Sequence, residues 1–326
     1  MPVVSIYIPT YKPKPDHLRA AIECALAQTF TDWELVVRDD ASPGVDVEPI
    51  VRDYLKDPRI TYYRGAQRRG IGGNWNACLG FGSGEFVAYL FQDDLWHPDY
   101  LKRSVEILRA NPRTGFTAAE HEYLIEEGTH PTRAAAYQKL RDEKKAVLKP
   151  GHNDRMEFLQ WWIERGLRPN VIGEPSYVLL RRSVIQAAGP FREDMPQGLD
   201  VEYWLRALLQ ADWHYIPDDL GEFRVHGAAA STINDELGHG LFDRLSFFDV
   251  LLRYLTAGPV RTLTARSLRR QFALMAGKFF GRVRSGGKVG GGGAGSLVSV
   301  VLRHPILVLL GMLDWATGRT LRSGGS

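Results

Sequence analysis

The sequence predicts an α/β fold built on a parallel sheet with helices on both faces. Three observations carry that expectation. Short β-rich runs alternate with helix-period segments through residues 3–91. The β-rich runs at 33–38 and 85–91 each stop in a paired carboxylate. The composition, 44% hydrophobic and 24% charged over 326 residues, is that of a globular chain with room for a large core.

The elements follow in order. Residues 3–9 (VVSIYIP) form a strand-like run that ends at a proline. Residues 15–29 place Leu18, Ile22 and Leu26 at helical spacing. Residues 33–38 (WELVVR) read as a second strand, stopped by the polar turn sequence from Asp39 to Gly44. A helix is expected over 46–56, a strand over 59–63, a helix over 72–82 and a strand over 85–91. This β-α-β-α-β-α-β order is the signature of a parallel sheet. Ligands of such sheets bind beyond the carboxyl ends of the strands. That rule selects Pro9-Thr10-Tyr11, Asp39-Asp40 and Gln92-Asp93-Asp94, which should converge in space.

Beyond residue 97 the alternation is less regular. A helix is expected over 98–110, a strand near 114–119, an irregular polar stretch over 126–153 and a helix over 154–166. A strand at 176–181, a helix at 199–211 and two short strands near 213–216 and 221–226 complete this part. From residue 237 two helices are expected, 237–257 and 261–284, then a glycine-rich linker over 285–296 and an interrupted apolar segment over 297–313. Three parts are expected: 1–97, 98–235 and a helical extension over 236–326.

Several function classes fall away. The net charge of +3 gives no support to a nucleic-acid partner. Cys24 and Cys78, the two cysteines, sit in apolar helical contexts, which reads as buried thiols in a reducing compartment. The N-terminus runs directly into the first strand and reads as having no secretory signal. The expected location is the cytoplasm or the inner face of the cell membrane. The glycines at 70–75 (GIGGNW) and 80–84 (GFGSG) do not form the dinucleotide-binding fingerprint, so a dehydrogenase is disfavoured.

The carboxylates carry the chemistry. Asp93-Asp94 ends an apolar strand, where oxygen ligands suit Mg²⁺ or Mn²⁺ shared with substrate phosphates. Asp94 also suits a helix cap before residue 98, and Asp39-Asp40 also suits a turn. Asp200 and Glu202 open an apolar helix, where a carboxylate serves either as a general base or as a charge favoured by the helix dipole. His226 follows a short strand and becomes a ligand candidate once a metal site exists. Trp161, Trp162 and Trp204 suit sugar stacking or core packing.

Taken together, these blocks resemble the family 2 glycosyltransferases over roughly residues 3–232. The resemblance rests on VSIYIPTYKP, QTFTDWELVVRDDAS, RRGIGGNWNACLGFGSGEFVAYLFQDDLWHP, PSYVLLRRSVIQAAGPFRED, GLDVEYWLRAL and FRVHG, in that order. It implies the GT-A fold. It further implies that Pro9, Thr10 and Tyr11 contact a uridine or thymidine, and that Asp40, with Asp39, accepts a hydrogen bond from the base. Asp93 would lie near the ribose and the metal, Asp94 would ligate Mn²⁺ or Mg²⁺, and His226 would complete the metal and diphosphate site. Asp200 matches the general base; Gly173 would lie beside the donor sugar, with Glu202 and Trp204 toward sugar or acceptor. Two positions depart from the family pattern. Phe91 stands where many members carry the first Asp of Asp-x-Asp-Asp, and Leu199 where an acidic residue often precedes the base.

The implied reaction is transfer of a sugar, with inversion, from a nucleotide diphosphate sugar to a carbohydrate or lipid-linked hydroxyl. A non-catalytic nucleotide-sugar binder and a nucleotidyltransferase are the alternatives. In the tail, Arg261 to Lys288 holds eight Lys or Arg residues and no acidic one. With apolar residues at helical spacing, this reads as a peripheral membrane contact through 261–313 or as helices packed on the domain.

Overall fold

The structure is a computed structural model that describes residues 1–195, 197–227, 242–286 and 294–318. The chain forms two compact units. One comprises 1–155, 171–193 and 210–227; the other comprises 156–170, 194–209 and the chain from 228 onward.

The first unit holds a single sheet of nine strands. Its parallel part is β1 (Val4–Thr10), β2 (Trp33–Asp39), β3 (Ile60–Arg64) and β4 (Phe86–Tyr89), in spatial order β3-β2-β1-β4. These are the four strands expected from the alternation, and β1 is buried along its whole length. A strand covered on both faces must be apolar throughout, and VSIYIPT nearly is. The sheet continues through β8 (Val178–Arg181), β6 (Thr114–Ile125), β9 (Asp212–Val225) and the short β5 (Leu95–Trp96), with β7 (Gly151–Asn153) also on β9. β8 runs antiparallel to both β4 and β6, while β6 and β9 are parallel. Residues on both sides of position 97 therefore share one sheet.

Helices cover this sheet. α1 (Pro15–Leu26) begins with proline at its first turn and buries Leu18, Ile22 and Ala25 on one face. α2 (Glu48–Val51) is one turn, followed by a 3₁₀ turn at Tyr54–Lys56, in place of the single helix expected over 46–56. α3 (Gly70–Cys78) starts two residues earlier than expected. α4 (Tyr100–Ala110) buries Leu101, Val105 and Leu108 against a core that runs under β1, β2 and β4. The polar stretch expected to be irregular instead contains α5 (Pro131–Val147) and β7. The two short strands expected after 212 are one long strand, β9, continuous through Pro217. A short helix not foreseen, α7 (Arg182–Ala188), follows β8.

The second unit is helical. α6 (Arg155–Glu164) enters it, and α8 (Leu199–Leu208) packs on α9 (Asp243–Tyr254). α10 (Pro259–Arg284) packs between α9 and α12 (Pro305–Ala316), and α11 (Ala294–Arg303) lies against α9. Of the tail helices and linker expected here, the segments 237–241 and 287–293 lie outside the described residues. Among the described residues, no single helix is long and apolar enough to cross a membrane.

Candidate functional site

In the first unit, parallel pairing sets the site. Thr10 lies opposite Asp39, and Tyr7 opposite Tyr89, so the polar residues after β1, β2 and β4 emerge along one edge. Gln92 ties them. Its Oε1 accepts from Thr10 Oγ1 at 2.6 Å and from the Tyr11 amide at 2.8 Å. The Asp40 amide donates to the Thr10 carbonyl at 2.9 Å, and the Lys12 amide to Ser42 Oγ at 2.8 Å. The three expected segments do converge. Pro9, buried next to Thr10, pairs with Arg38 beyond the last β1–β4 pair, where its missing N–H breaks little of the ladder.

Asp39 and Asp40 are buried, and the protein hydrogen-bonds three of their four oxygens, leaving Asp39 Oδ2 with the Arg64 guanidinium at 3.4 Å. Asp39 Oδ1 accepts from the Ser42 amide at 3.0 Å and from Ser42 Oγ at 2.5 Å, which closes the turn. Asp40 accepts from the amides of Arg69 at 2.8 Å and Gly70 at 2.9 Å, at the start of α3. Amides at a helix N-terminus have no intrahelical partner, and a carboxylate there satisfies them. Gly72 on α3 admits a neighbouring backbone: a Cβ there would lie 2.2 Å from the Arg192 carbonyl oxygen. Gly72 therefore serves packing. Above this edge the half-buried Tyr11 ring carries the Arg68 guanidinium at 4.3 Å and the Lys12 ammonium at 5.7 Å. The result is a cationic rim over an aromatic face.

The two acidic neighbours after β4 differ sharply. Asp94 is fully buried. Ser176 Oγ donates to its Oδ2 at 2.5 Å, and the Arg224 amide to its Oδ1 at 3.2 Å. Burial, and then the charge on Asp93, push its pKa well above the usual carboxylate range. Asp93 is partly exposed, with Oδ2 3.0 Å from His226 Nε2. His17 is 3.0 Å from Glu126 nearby, and its pKa is lowered by burial and by the charge of Arg224. The metal ligand expected from the sequence, Asp94, is thus fully buried, while its neighbour Asp93 is partly exposed and pairs with the buried His226.

Among the described residues no group of three or more His, Cys, Asp or Glu side chains is arranged to hold a metal ion. Mg²⁺ and similar hard cations commonly take one or two protein ligands and complete their shell with water and substrate phosphates. One carboxylate and one imidazole in contact fit that two-ligand pattern.

Gly173 has φ +99°, and a Cβ there would lie 3.4 Å from Lys144 Nζ. Around it is a buried network absent from the sequence expectations. Lys144 Nζ donates to Glu120 at 3.0 Å, Tyr215 Oη donates to Glu120 at 2.9 Å, and His121 Nε2 lies 3.0 Å from Glu174 Oε2. The His121 ring stacks on Tyr177 at 4.0 Å. The sequence signal was the run Glu120-His121-Glu122 inside a strand, where charge is costly unless partnered.

The second unit holds the other expected residues. Asp200 lies in the first turn of α8, and Asn170 Nδ2 donates to its Oδ2 at 2.8 Å. Glu202 accepts from Arg206 Nε at 3.1 Å and Nη2 at 2.8 Å, one helical turn away, with both side chains buried. Trp204 and Trp162 are fully buried, whereas Trp161 is half-buried beneath the Arg165 guanidinium at 4.3 Å. The expectation that Glu202 and Trp204 face sugar or acceptor meets an ion-paired carboxylate and an interior indole.

Comparison with known proteins shows what this arrangement is similar to. The sequence profile of glycosyl transferase family 2 matches residues 5–161. An uncharacterised Mycobacterium tuberculosis protein is 28% identical over 235 residues, 71% of this chain and 69% of its own length. An Escherichia coli UDP-Glc:α-D-GlcNAc-diphosphoundecaprenol β-1,3-glucosyltransferase is 31% identical over 109 residues, 33% of this chain. That match spans 42% of the E. coli enzyme; other relatives, from Sinorhizobium fredii and Bacillus subtilis, are matched over 14% and 27% of their lengths. Among solved structures, a Pyrobaculum calidifontis mannosyltransferase in complex with GDP-Man and Mn²⁺ aligns over 99% of this chain and 88% of its own. Its TM-score is 0.57 at 18% identity. Staphylococcus aureus TarS residues 1–349 in complex with UDP align over 83% of this chain and 70% of that one, with a TM-score of 0.59 at 15% identity. The fold is GT-A, and residues 5–161 of the chain are similar to glycosyl transferase family 2.

Proposed function

We propose that this chain is an inverting glycosyltransferase that moves a sugar from a UDP- or dTDP-linked donor onto an acceptor hydroxyl in cell-surface polysaccharide or glycolipid assembly. The observation that carries it is the convergence of Thr10, Gln92 and the Asp93–His226 pair at one edge of the parallel strands. The UDP and UDP-GlcNAc held by the S. aureus neighbours, and the lipid diphosphate in the E. coli relative's name, favour that donor and acceptor chemistry.

In this reading residues 1–97 receive the nucleotide and 98–235 the acceptor. Pro9, Thr10 and Tyr11 line the nucleoside, above the turn built by Asp39 and Asp40. Arg68 and Lys12 offer positive charge toward a diphosphate. Asp93 and His226 would hold Mn²⁺ or Mg²⁺, the former being the ion in the P. calidifontis complex, with Asp94 fixing the backbone. Such an ion, when bound, supplies positive charge against the departing diphosphate. Gly173 leaves room for the donor sugar. Asp200, oriented by Asn170, takes the proton from the acceptor hydroxyl. The freed oxygen attacks the anomeric carbon opposite the breaking sugar–phosphate bond, and configuration inverts. Glu202 and Trp204 hold α8 together instead of touching sugar. The enzyme would work at the cytoplasmic face of a membrane, in contact with it through residues 261–313.

The test is release of UDP or dTDP from a panel of nucleotide sugars with Mn²⁺ and a polyprenyl-diphosphate sugar acceptor. Nucleotide binding with no turnover on any donor would favour the non-catalytic binder. Pyrophosphate release from a nucleoside triphosphate and a sugar phosphate would favour the nucleotidyltransferase.

A further inference from the structure

We infer that α11 and α12 form a docking face that seats the chain on an anionic bilayer surface without crossing it. The inference rests on the membrane contact proposed above, and adds the face, the depth and the lipid charge.

α12 has two unlike sides. Its inner side packs on α10: a Cβ on Gly311 would lie 2.7 Å from the Arg269 carbonyl oxygen, and Val308 is buried. Its outer side is an apolar stripe at helical spacing, Ile306, Leu309, Met312 and Leu313, extended by Leu302 at the end of α11. Leu302 is 76% exposed, Ile306 72% and Leu309 59%. A contiguous patch of this kind on a globular surface marks a place where something apolar binds.

The shape argues against a span. α11 and α12 are bent by 108° at His304, so their apolar length does not run in one direction. The bend is built in. Asp249, buried on α9, accepts from Arg303 Nη1 at 2.7 Å and lies 3.0 Å from His304 Nε2. The polar residues of the knee are thereby drawn inward, and Leu302 and Ile306 stand outermost.

Charge selects the occupant. Arg266, Arg270, Lys278 and Arg284 are exposed along α10, and residues 261–313 contain no acidic residue. Exposed apolar side chains beside a basic helix suit an interfacial site on anionic lipid, with insertion of roughly 5–10 Å. A second copy of this chain would bring like charges together and is disfavoured.

The test is flotation of the full chain with vesicles of phosphatidylcholine alone or of equimolar phosphatidylcholine and phosphatidylglycerol. Wild type should float with the mixed vesicles. Ile306→Glu/Leu309→Glu should lose about tenfold or more of that partitioning at every salt concentration. Arg266→Gln/Arg270→Gln should lose about fivefold per arginine at low salt only, because screening removes that attraction. All forms should share one melting temperature, and UDP release in vesicle-free buffer should be equal among them. The inference is overturned if wild type stays with the dense fraction, or if the glutamate variant floats as wild type does. It is also overturned if light scattering shows a wild-type dimer that the glutamate variant splits. The expected flotation pattern together with absent UDP release would sustain the docking face and count against the transferase reading alone.

Discussion

Replacing Glu202 with alanine separates its two roles, substrate contact or helix stability, and the structure sets the size of the answer. Glu202 and Arg206 are 1% and 7% exposed at the side chain and joined by a bidentate contact one turn apart on α8. Removing the carboxylate leaves a guanidinium buried without that counter-charge, which costs about 3–5 kcal/mol. At about 2–4 °C per kcal/mol for a domain of this size, the melting temperature should fall by about 6–20 °C. Glu202→Leu with Arg206→Met removes both charges and keeps the volume, so it should recover most of the loss. Thermal unfolding by circular dichroism, beside nucleotide-sugar turnover measured well below the transition, gives the two readouts. Turnover of the folded single variant should stay within a few-fold of wild type. If instead the melting temperature hardly moved while turnover collapsed, Glu202 would be acting on substrate, and the ion-pair reasoning would be refuted.

Four other outcomes are expected. Asp200→Asn should reduce turnover about 10²–10⁴-fold, the range for loss of a general base, with nucleotide affinity by calorimetry unchanged; wild-type turnover would move the base elsewhere. Asp93→Asn should abolish the Mn²⁺ dependence of UDP binding while the fold melts normally. Asp94→Asn should lower the melting temperature, because it disturbs a buried acceptor of Ser176 and Arg224, and the reverse pattern would restore Asp94 as the direct ligand. Burial pushes the thiols of Cys24 and Cys78 up to about 12, so at pH 8 almost none is thiolate. The native protein should resist a disulfide reagent at that pH, whereas the unfolded chain should titrate both thiols.

The parallel strands were legible because each is a short apolar run closed by a polar stop, a pattern set by burial on both faces of the sheet. α5 was not, because charged and polar residues are spread around it and only Lys144 is buried, so no buried apolar stripe marks it. β9 read as two strands because Pro217-Asp218-Asp219 resembles a turn. In the sheet those residues are exposed, at an irregularity in the register between β6 and β9 that absorbs them. The apolar tail was legible as two pieces, since Pro305 starts a helix and ends the one before it. What holds its angle, Asp249, lies 54 residues away from Arg303.

The same distinction runs through the site. That acidic pairs should end β2 and β4 follows from the rule for parallel sheets, and the pairs do gather at one edge. Which member of a pair faces solvent does not follow from the sequence. Asp93 and Asp94 are chemically identical neighbours in the turn after β4, where the Asp94 amide donates to the Phe91 carbonyl at 3.1 Å. Ser176 and the Arg224 amide decide between them, at separations of 82 and 130 residues, by burying one carboxylate and leaving the other beside His226. Gln92 is a second case: its amide oxygen, not a carboxylate, joins the first strand end to the fourth across 82 residues. A charge-based search for the site therefore finds its neighbourhood. The division of labour inside it, ligand and support, belongs to tertiary contacts, and the Asp93→Asn and Asp94→Asn pair is the measurement that reads it out.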